Sequence, residues 1–241
     1  MFDESREIQF QILQALADSP LPRGAGAIQV ALSEASIDRS EAAIGRYLRQ
    51  FQRQGWVERI GFQGQVITET GRKELEKLRI ERLRQGWAQD LIGQIRSGKT
   101  DVFIDLLHAR RAIEGEAARL AALRATDEDL EELSRNIADQ KESIDRKRTN
   151  APFNKAFHEL LVDLSHNDIL KTMYQLIKMD VDWAHLFEEI QQRRGSQLGV
   201  GHYVIYEALC RREPEAAREA AISHIDSIID DARKVLREFQ E

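Results

Sequence analysis

Apolar residues recur three or four positions apart through the first part of the chain. Residues 5–19, 26–36 and 39–55 each show this spacing, which predicts three helices. Residues 56–60 and 66–67 are rich in β-branched and aromatic residues, and the "GFQG" between them is typical of a turn, so a β-hairpin is expected. Three helices followed by a hairpin is the order of a winged helix-turn-helix.

Several residues are placed to start or end these helices. Asp38 is predicted to cap the N-terminus of the third helix, and Gly55 its C-terminus. Further along, Thr126 and Asp129 predict a capping box. Pro214 suits the first turn of a helix.

From residue 100 onward only helical periodicity is present. The preceding charged segment predicts one or two linker helices, and Ser97 and Gly98 are a suitable boundary. We therefore predict a mainly α protein with three parts: a winged helix-turn-helix domain over 1–75, a linker helix over 76–99, and an antiparallel α-helical bundle over 100–241.

Composition favours a cytoplasmic protein that does not enter a membrane. Of the 241 residues 42% are hydrophobic and 32% charged, there is one cysteine, and the acidic N-terminus does not resemble a signal peptide. The net charge of −6 is uneven: residues 1–84 hold 13 basic and 12 acidic residues, and the remainder holds 22 and 29. A nearly neutral front and an acidic back predict two domains with different partners.

The third helix carries arginines away from its apolar side. Because a winged helix inserts this helix in the major groove, we expect double-stranded DNA as a partner. The alternative is an ordinary solvated helix face. The predicted DNA-binding residues, including one at the hairpin tip, are Arg39, Ser40, Arg46, Arg49, Arg53 and Gln63.

Three histidines interrupt apolar stripes on three separate helices. They are His158, His202 and His224, and Asn154 lies one turn before His158 on the same face. One such histidine would usually be a core residue with a hydrogen bond. Three predict a shared polar cavity, and imidazole is a common ligand of zinc and nickel.

Arg110 also interrupts an apolar stripe, on the first helix of the predicted bundle. A buried guanidinium is costly unless it is paired. Arg110 therefore either pairs with an acid such as Glu114 or binds an anion. The other histidines, His108, His166 and His185, interrupt no stripe and are predicted at the surface or behind the ligands.

Three segments carry a resemblance to a known family: "LLHARRAIEGEAARLAA", "NKAFHELLVDLSHNDIL" and "GHYVIYEALCRREPEAAREAAISHI". Together they resemble the FCD (FadR C-terminal-like) effector domain of GntR-family transcription regulators, over about residues 101–238. The resemblance implies a helical bundle, dimerisation, and a metal held by one Asp and three His, with a carboxylate effector held against the metal and an arginine. The matching positions are His158, His202, His224 and Arg110.

The chain departs from that family at two places. Asn154 stands where the family has its Asp, and an amide oxygen is a neutral, weaker ligand. The front lacks the usual GntR pattern, and "SEAAIGRYLRQFQRQGWVERIG" with "VITETGRKEL" is similar to other winged-helix regulators. The operator rules of GntR proteins are therefore not transferred.

These observations predict a homodimeric, ligand-responsive regulator that binds a DNA operator and a small organic acid, with zinc or nickel as the expected divalent metal. No enzymatic activity is expected. Three alternatives remain: a metal-dependent helical hydrolase in which the histidines activate water, a regulator that senses the metal itself, and a metal-free site in which the histidines bind the anion directly.

Overall fold

The computed structural model describes residues 3–146, 148–178 and 197–238. Over these residues the chain forms ten helices and one two-stranded antiparallel sheet, and the predicted fold class is confirmed. The elements are α1 (Glu4–Ala17), α2 (Ala25–Glu34), α3 (Glu41–Arg53), β1 (Val57–Ile60), β2 (Gly64–Ile67), α4 (Glu69–Ile95), α5 (Thr100–Arg124), α6 (Asp127–Asp145), α7 (Ala151–Asp163), α8 (Asp168–Ile177), α9 (Gln197–Cys210) and α10 (Pro214–Glu238).

The chain divides into two compact units, Met1–Leu91 and Ile92–Glu241. Each unit has its own apolar core and is described by itself. The functional limits of 1–75, 76–99 and 100–241 stay predictions.

In the first unit, α1, α2 and α3 bury their apolar stripes against one another and against the hairpin. The register of the hairpin pairs Val57 with Ile67 and Ile60 with Gly64. This is the predicted winged-helix arrangement. The buried residues of this core are Ile8, Phe10, Ile12, Leu13, Leu16, Ile28, Leu32, Ile44, Leu48, Phe51, Val57, Ile67, Leu75 and Leu78.

The cap of α3 is Ser40, so the prediction of Asp38 was wrong. The helix begins at Glu41, and the Ser40 hydroxyl accepts a hydrogen bond from the backbone N–H of Ala43 at 3.3 Å. Asp38 lies two residues too early to reach these donors. At the other end, Gly55 has a φ of 73°, the left-handed conformation expected after a helix terminus, and its predicted role is confirmed.

The hairpin is tied to the body of the first unit. The backbones of Arg23 and Gln65 exchange two hydrogen bonds of 2.9 Å. Gly64 lies beside this bridge with a φ of 128°, and a Cβ there would lie 2.4 Å from the carbonyl carbon of Arg23. A side chain at position 64 would therefore push the hairpin away from the bridge.

The segment after the hairpin is one continuous helix, α4, rather than two. Most of α4, as far as Leu91, belongs to the first unit, and Leu75 and Leu78 are buried in the core of that unit. The polar side of α4 pairs with α1, where Arg6 contacts Glu81 at 2.7 Å.

In the second unit, α5 packs along α10 and also contacts α7, α8 and α9, while α6 packs against α7 and α9. At Gly115 a Cβ would lie 2.9 Å from Cγ1 of Ile222, so a glycine lets α5 approach α10 closely. One core cluster of this unit contains Ala118, Ala121, Ala122, Ala125, Leu130, Leu133, Phe157, Leu161, Leu164, Ile205, Ala208, Leu209, Ala217 and Ala221.

Two predicted helix starts in this unit are confirmed. Thr126 and Asp129 form the capping box of α6, with hydrogen bonds of 3.1 Å and 2.8 Å in the two directions, and Pro214 begins α10. The predicted continuation of α8 toward residue 194 lies outside the described residues. Among the helices that the structure describes, none combines the length and the apolar character needed to cross a bilayer.

Replacing Thr126 with Ala should destabilise the protein by about 1 kcal/mol, because the hydroxyl that satisfies an N-terminal backbone donor of α6 is lost. Thr126→Ser is the matched control and should stay close to wild type. Urea unfolding followed by circular dichroism measures the difference. Equal losses in both variants would show that the capping hydrogen bond contributes nothing.

Candidate metal centre and candidate nucleic-acid interface

The structure brings the three predicted histidines together in the second unit. His158 lies on α7, His202 on α9 and His224 on α10, and all three are buried. One ring nitrogen of each lies within 4.8 Å of the other two. The Nε2 atoms of His202 and His224 are 3.1 Å apart. Three nitrogens at this spacing can converge on one ion.

A glycine and an aromatic ring set the positions of two of these imidazoles. A Cβ at Gly201 would lie 2.4 Å from Nδ1 of His224, so α9 can approach this ring only with glycine there. Phe157 stacks on His202, with ring centroids 3.8 Å apart and an interplanar angle of 14°.

His158 is held from behind by a carboxylate that also binds Arg110. Oε2 of Glu114 lies 2.5 Å from Nδ1 of His158, and Oε1 of Glu114 lies 2.7 Å from Nε of Arg110. All three side chains are buried. Of the two alternatives predicted for Arg110, an ion pair with an acid or binding of an anion, the structure shows the ion pair with Glu114.

Electrostatic interactions set the protonation states of Glu114 and His158. Burial alone would raise the pKa of Glu114, but the charge of Arg110 and the contact with His158 outweigh burial and lower that pKa to about 2. Burial lowers the pKa of His158, and although Glu114 opposes this, the net shift is downward. Glu114 is therefore ionised and His158 neutral at neutral pH.

An ionised carboxylate can only accept hydrogen bonds, so Nδ1 of neutral His158 carries the proton. Its other nitrogen, Nε2, is left with a lone pair and is buried without a hydrogen-bond partner among the described residues. A carboxylate behind a histidine commonly fixes the ring nitrogen that is offered to a metal.

Arg110 has a second neighbour on α8. Its guanidinium carbon lies 5.8 Å from the ring centroid of Tyr174. Burial on its own would lower the pKa of Arg110, but Glu114 and Tyr174 raise it, so the side chain stays charged. Burial also raises the pKa of Tyr174, which keeps its hydroxyl protonated.

Asn154 is buried on α7 one turn before His158, and its Oδ1 has no hydrogen-bond partner within the part of the chain that the structure describes. A buried polar atom left unsatisfied costs about 1–3 kcal/mol. Oδ1 of Asn154 and Nε2 of His158 are both electron-pair donors on neighbouring turns. Imidazole nitrogens and an amide oxygen form a donor set that fits a divalent transition metal.

Two amides behind His202 were not predicted. Oε1 of Gln140 lies 2.7 Å from Nδ1 of His202, and Nε2 of Gln140 lies 2.6 Å from Oδ1 of Asn136. Both amides are buried on α6. Asn136 and Gln140 share a helical face with the buried Leu133. They therefore interrupt an apolar stripe, which is the same sequence signal that identified the histidines.

The remaining histidines are separate from this cluster where they are described. His166 is exposed and contacts Asp129 at 2.8 Å, and His108 is exposed beside Arg233. His185 lies outside the described residues.

In the first unit, α3 buries Ile44, Leu48 and Phe51. The side chains of Arg46, Arg49 and Arg53 are exposed. Over the described ranges, none of these three arginines has an acidic group within ion-pair distance. Their guanidinium groups are thus available to an anionic partner.

The other predicted DNA-binding residues differ in their surroundings. Arg39 is half-buried, pairs with Glu4 and donates to the carbonyl of Asp38, and Ser40 caps α3. Gln63 is exposed in the turn of the hairpin. Phe62 beside it is fully exposed and was not predicted.

Two family models match the chain. The model described as the FCD domain matches residues 105–227, just over half of the chain, and includes the three histidines. The model described as the ribonuclease R winged-helix domain matches residues 10–75.

Among relatives, the chain is 28% identical over 129 residues to the Uxu operon regulator of Haemophilus influenzae, which covers 52% of this chain and 48% of that protein. It is 28% identical over 137 residues to the Glc operon transcriptional activator of Escherichia coli, covering 52% of each. The chain thus spans about half the length of these curated relatives. A solved structure of E. coli McbR/YncC is similar with a TM-score of 0.48 and 15% identity, covering 98% of this chain and 100% of that one.

Glu114→Ala should destabilise the protein by about 3–5 kcal/mol, because it leaves the buried charge of Arg110 without its carboxylate. The double variant Arg110→Met/Glu114→Leu should lose less than the single variant, since it removes both charges. Urea unfolding of the three proteins makes the comparison. A double variant less stable than Glu114→Ala would contradict compensation between the two charges.

Proposed function

The chain belongs to the FCD-domain family of GntR-type transcription regulators, and on this premise we propose that it is a DNA-binding regulator whose helical unit binds a small organic acid. The observation that carries the proposal is the convergence of His158, His202 and His224 in the unit that matches the FCD domain. A separate winged-helix unit carries exposed arginines on its third helix.

DNA binding is assigned to the exposed face of α3 and to the hairpin. Arg46, Arg49 and Arg53 supply guanidinium groups that bind phosphates or the edge of guanine. Gln63 is exposed at the hairpin, where it can reach the adjacent backbone or groove. Arg39 and Ser40 have contacts within the unit, so their contribution to DNA binding is positional.

We assign a divalent metal, zinc or nickel, to the histidine cluster, with Asn154 as a fourth donor. The neutral state of His158 and its lone pair on Nε2 suit a metal ligand. When bound, such an ion would act as a Lewis acid that attracts a carboxylate oxygen.

Arg110 is proposed to bind the carboxylate of the acid. Glu114 joins Arg110 to His158 through contacts of 2.7 Å and 2.5 Å. A shift of Arg110 toward a ligand would therefore move the Glu114 carboxylate, which orients His158. This contact chain links the anion site to the metal site.

The regulator is proposed to act in the cytoplasm as a homodimer on a two-fold symmetric operator. An acid can change DNA binding only if it binds one arrangement of the dimer better than another. A tenfold preference corresponds to about 1.4 kcal/mol.

Arg49→Ala should weaken binding to an operator selected from a random duplex library by at least about tenfold, because a charged contact on the exposed face of α3 is lost. The slope of log affinity against log salt should also fall by about 1 if Arg49 binds a phosphate. Lys77→Ala, an exposed lysine on α4, is the matched control. Equal affinities for all three proteins would show that this face does not bind DNA.

His202→Ala should abolish the metal content of the purified protein, while His166→Ala, which changes an exposed histidine of the same unit, should retain it. Mass spectrometry of the metals gives the stoichiometry. Equal metal content in both variants would contradict the site.

A screen of organic acids by melting temperature, with and without chelator, identifies the ligand class. An acid that stabilises wild type only without chelator supports metal-assisted binding. Stabilisation that survives the chelator would indicate a metal-free anion site.

A further inference from the structure

We propose that Gln140 is a positioning residue for the metal site: it fixes His202 in the tautomer whose Nε2 carries the lone pair. The inference deepens the proposed function, because it rests on the histidine cluster as a metal site. Neither Gln140 nor Asn136 was singled out from the sequence.

A chain of hydrogen bonds runs from His202 to the backbone of α7. Nδ1 of His202 contacts Oε1 of Gln140 at 2.7 Å, and Nε2 of Gln140 donates to Oδ1 of Asn136 at 2.6 Å. Nδ2 of Asn136 donates to the carbonyl oxygen of Phe153 at 3.2 Å, and Nε2 of Gln140 lies 3.4 Å from the same oxygen. Gln140 is 1% exposed, so water does not compete along most of this chain.

The direction of the chain follows from its last member. A backbone carbonyl can only accept, so the NH2 group of Asn136 must face Phe153 and its oxygen must face Gln140. The NH2 group of Gln140 then faces Asn136, and its oxygen faces His202. An amide oxygen has no proton to give, so Nδ1 of His202 carries the proton and Nε2 carries the lone pair.

Two neighbouring rings hold the His202 imidazole in this orientation. Phe157 stacks on one face of His202 at 3.8 Å, and Nε2 of His202 lies 3.1 Å from Nε2 of His224. The lone pair of His202 is therefore directed at the neighbouring histidine of the cluster.

Two histidines of the cluster are thus oriented by side chains from different helices. Glu114 on α5 holds Nδ1 of His158, and Gln140 on α6 holds Nδ1 of His202. In both cases the acceptor leaves Nε2 as the donor to a metal. Without Gln140, His202 could place its proton on Nε2, and that tautomer has no lone pair on Nε2 to offer to a metal in the cluster.

The test compares zinc affinity in full-length variants, measured by competition with a chromophoric chelator and with zinc as the probe. Gln140→Leu removes the acceptor and should weaken zinc binding by about 10–100-fold. Gln140→Glu keeps an acceptor oxygen and should hold zinc within about threefold of wild type or more tightly, although a buried carboxylate lowers its stability.

Ser143→Ala is the matched control on the same helix. The Ser143 hydroxyl is buried and donates to the carbonyl of Thr149, away from the histidines. It should lower the melting temperature of the metal-free protein and leave zinc affinity unchanged. Wild-type affinity in Gln140→Leu, or equal losses of affinity in the Leu and Glu variants, would overturn the proposal.

A second measurement needs no variant. Long-range 1H–15N correlation spectra of the metal-free wild-type protein report which nitrogen of His202 is protonated. The proposal requires protonation at Nδ1, and protonation at Nε2 overturns it even if Gln140→Leu fails to fold.

The outcomes separate this inference from the proposed function. Zinc binding by wild type with an unaffected Gln140→Leu variant removes the role of Gln140 and leaves the metal site intact. No binding of zinc, nickel or cobalt by wild type would remove the metal site, and the role of Gln140 with it.

Discussion

The ion pair between Arg110 and Glu114 is the constraint on which the centre of the helical unit depends. Both residues lie on α5, four positions apart, so one helix supplies the two charges in a fixed relation. Taking either charge out of water alone costs several kcal/mol, and the pair must therefore form wherever α5 is buried. Because Glu114 has a second oxygen, it can also hold His158 on α7, and the protonation state of that ring follows from the packing of α5.

Much of this centre could be predicted because polar residues on a buried helix face stand out from an apolar pattern. His158, His202 and His224 were found in this way, and so was Arg110. Gln140 also interrupts the buried face of α6, but the many charged residues of this helix make that interruption harder to recognise. Its role depends on a carbonyl from another helix, and no local pattern carries that information.

The first unit shows the same limit at finer scale. Asp38 and Ser40 are both good helix caps, two residues apart, and only the position of the first helical turn decides between them. The charged composition of the segment after the hairpin predicted a linker, yet Leu75 and Leu78 place its first half in the core of the winged helix. Two apolar residues were enough to fix that half, and composition averaged over the segment concealed them. The functional roles of the exposed arginines and of the histidine cluster stay predictions.

Gly201 constrains which substitutions this protein can accept near the histidine cluster. The space that a β-carbon would occupy there is filled by the His224 ring, so the two positions share one small volume across two helices. A larger residue at 201 is compatible only with a smaller one at 224, and the pair must therefore vary together. A homologue or a library variant with a smaller residue at 224 can accept a side chain at 201. A variant that keeps His224 must also keep Gly201.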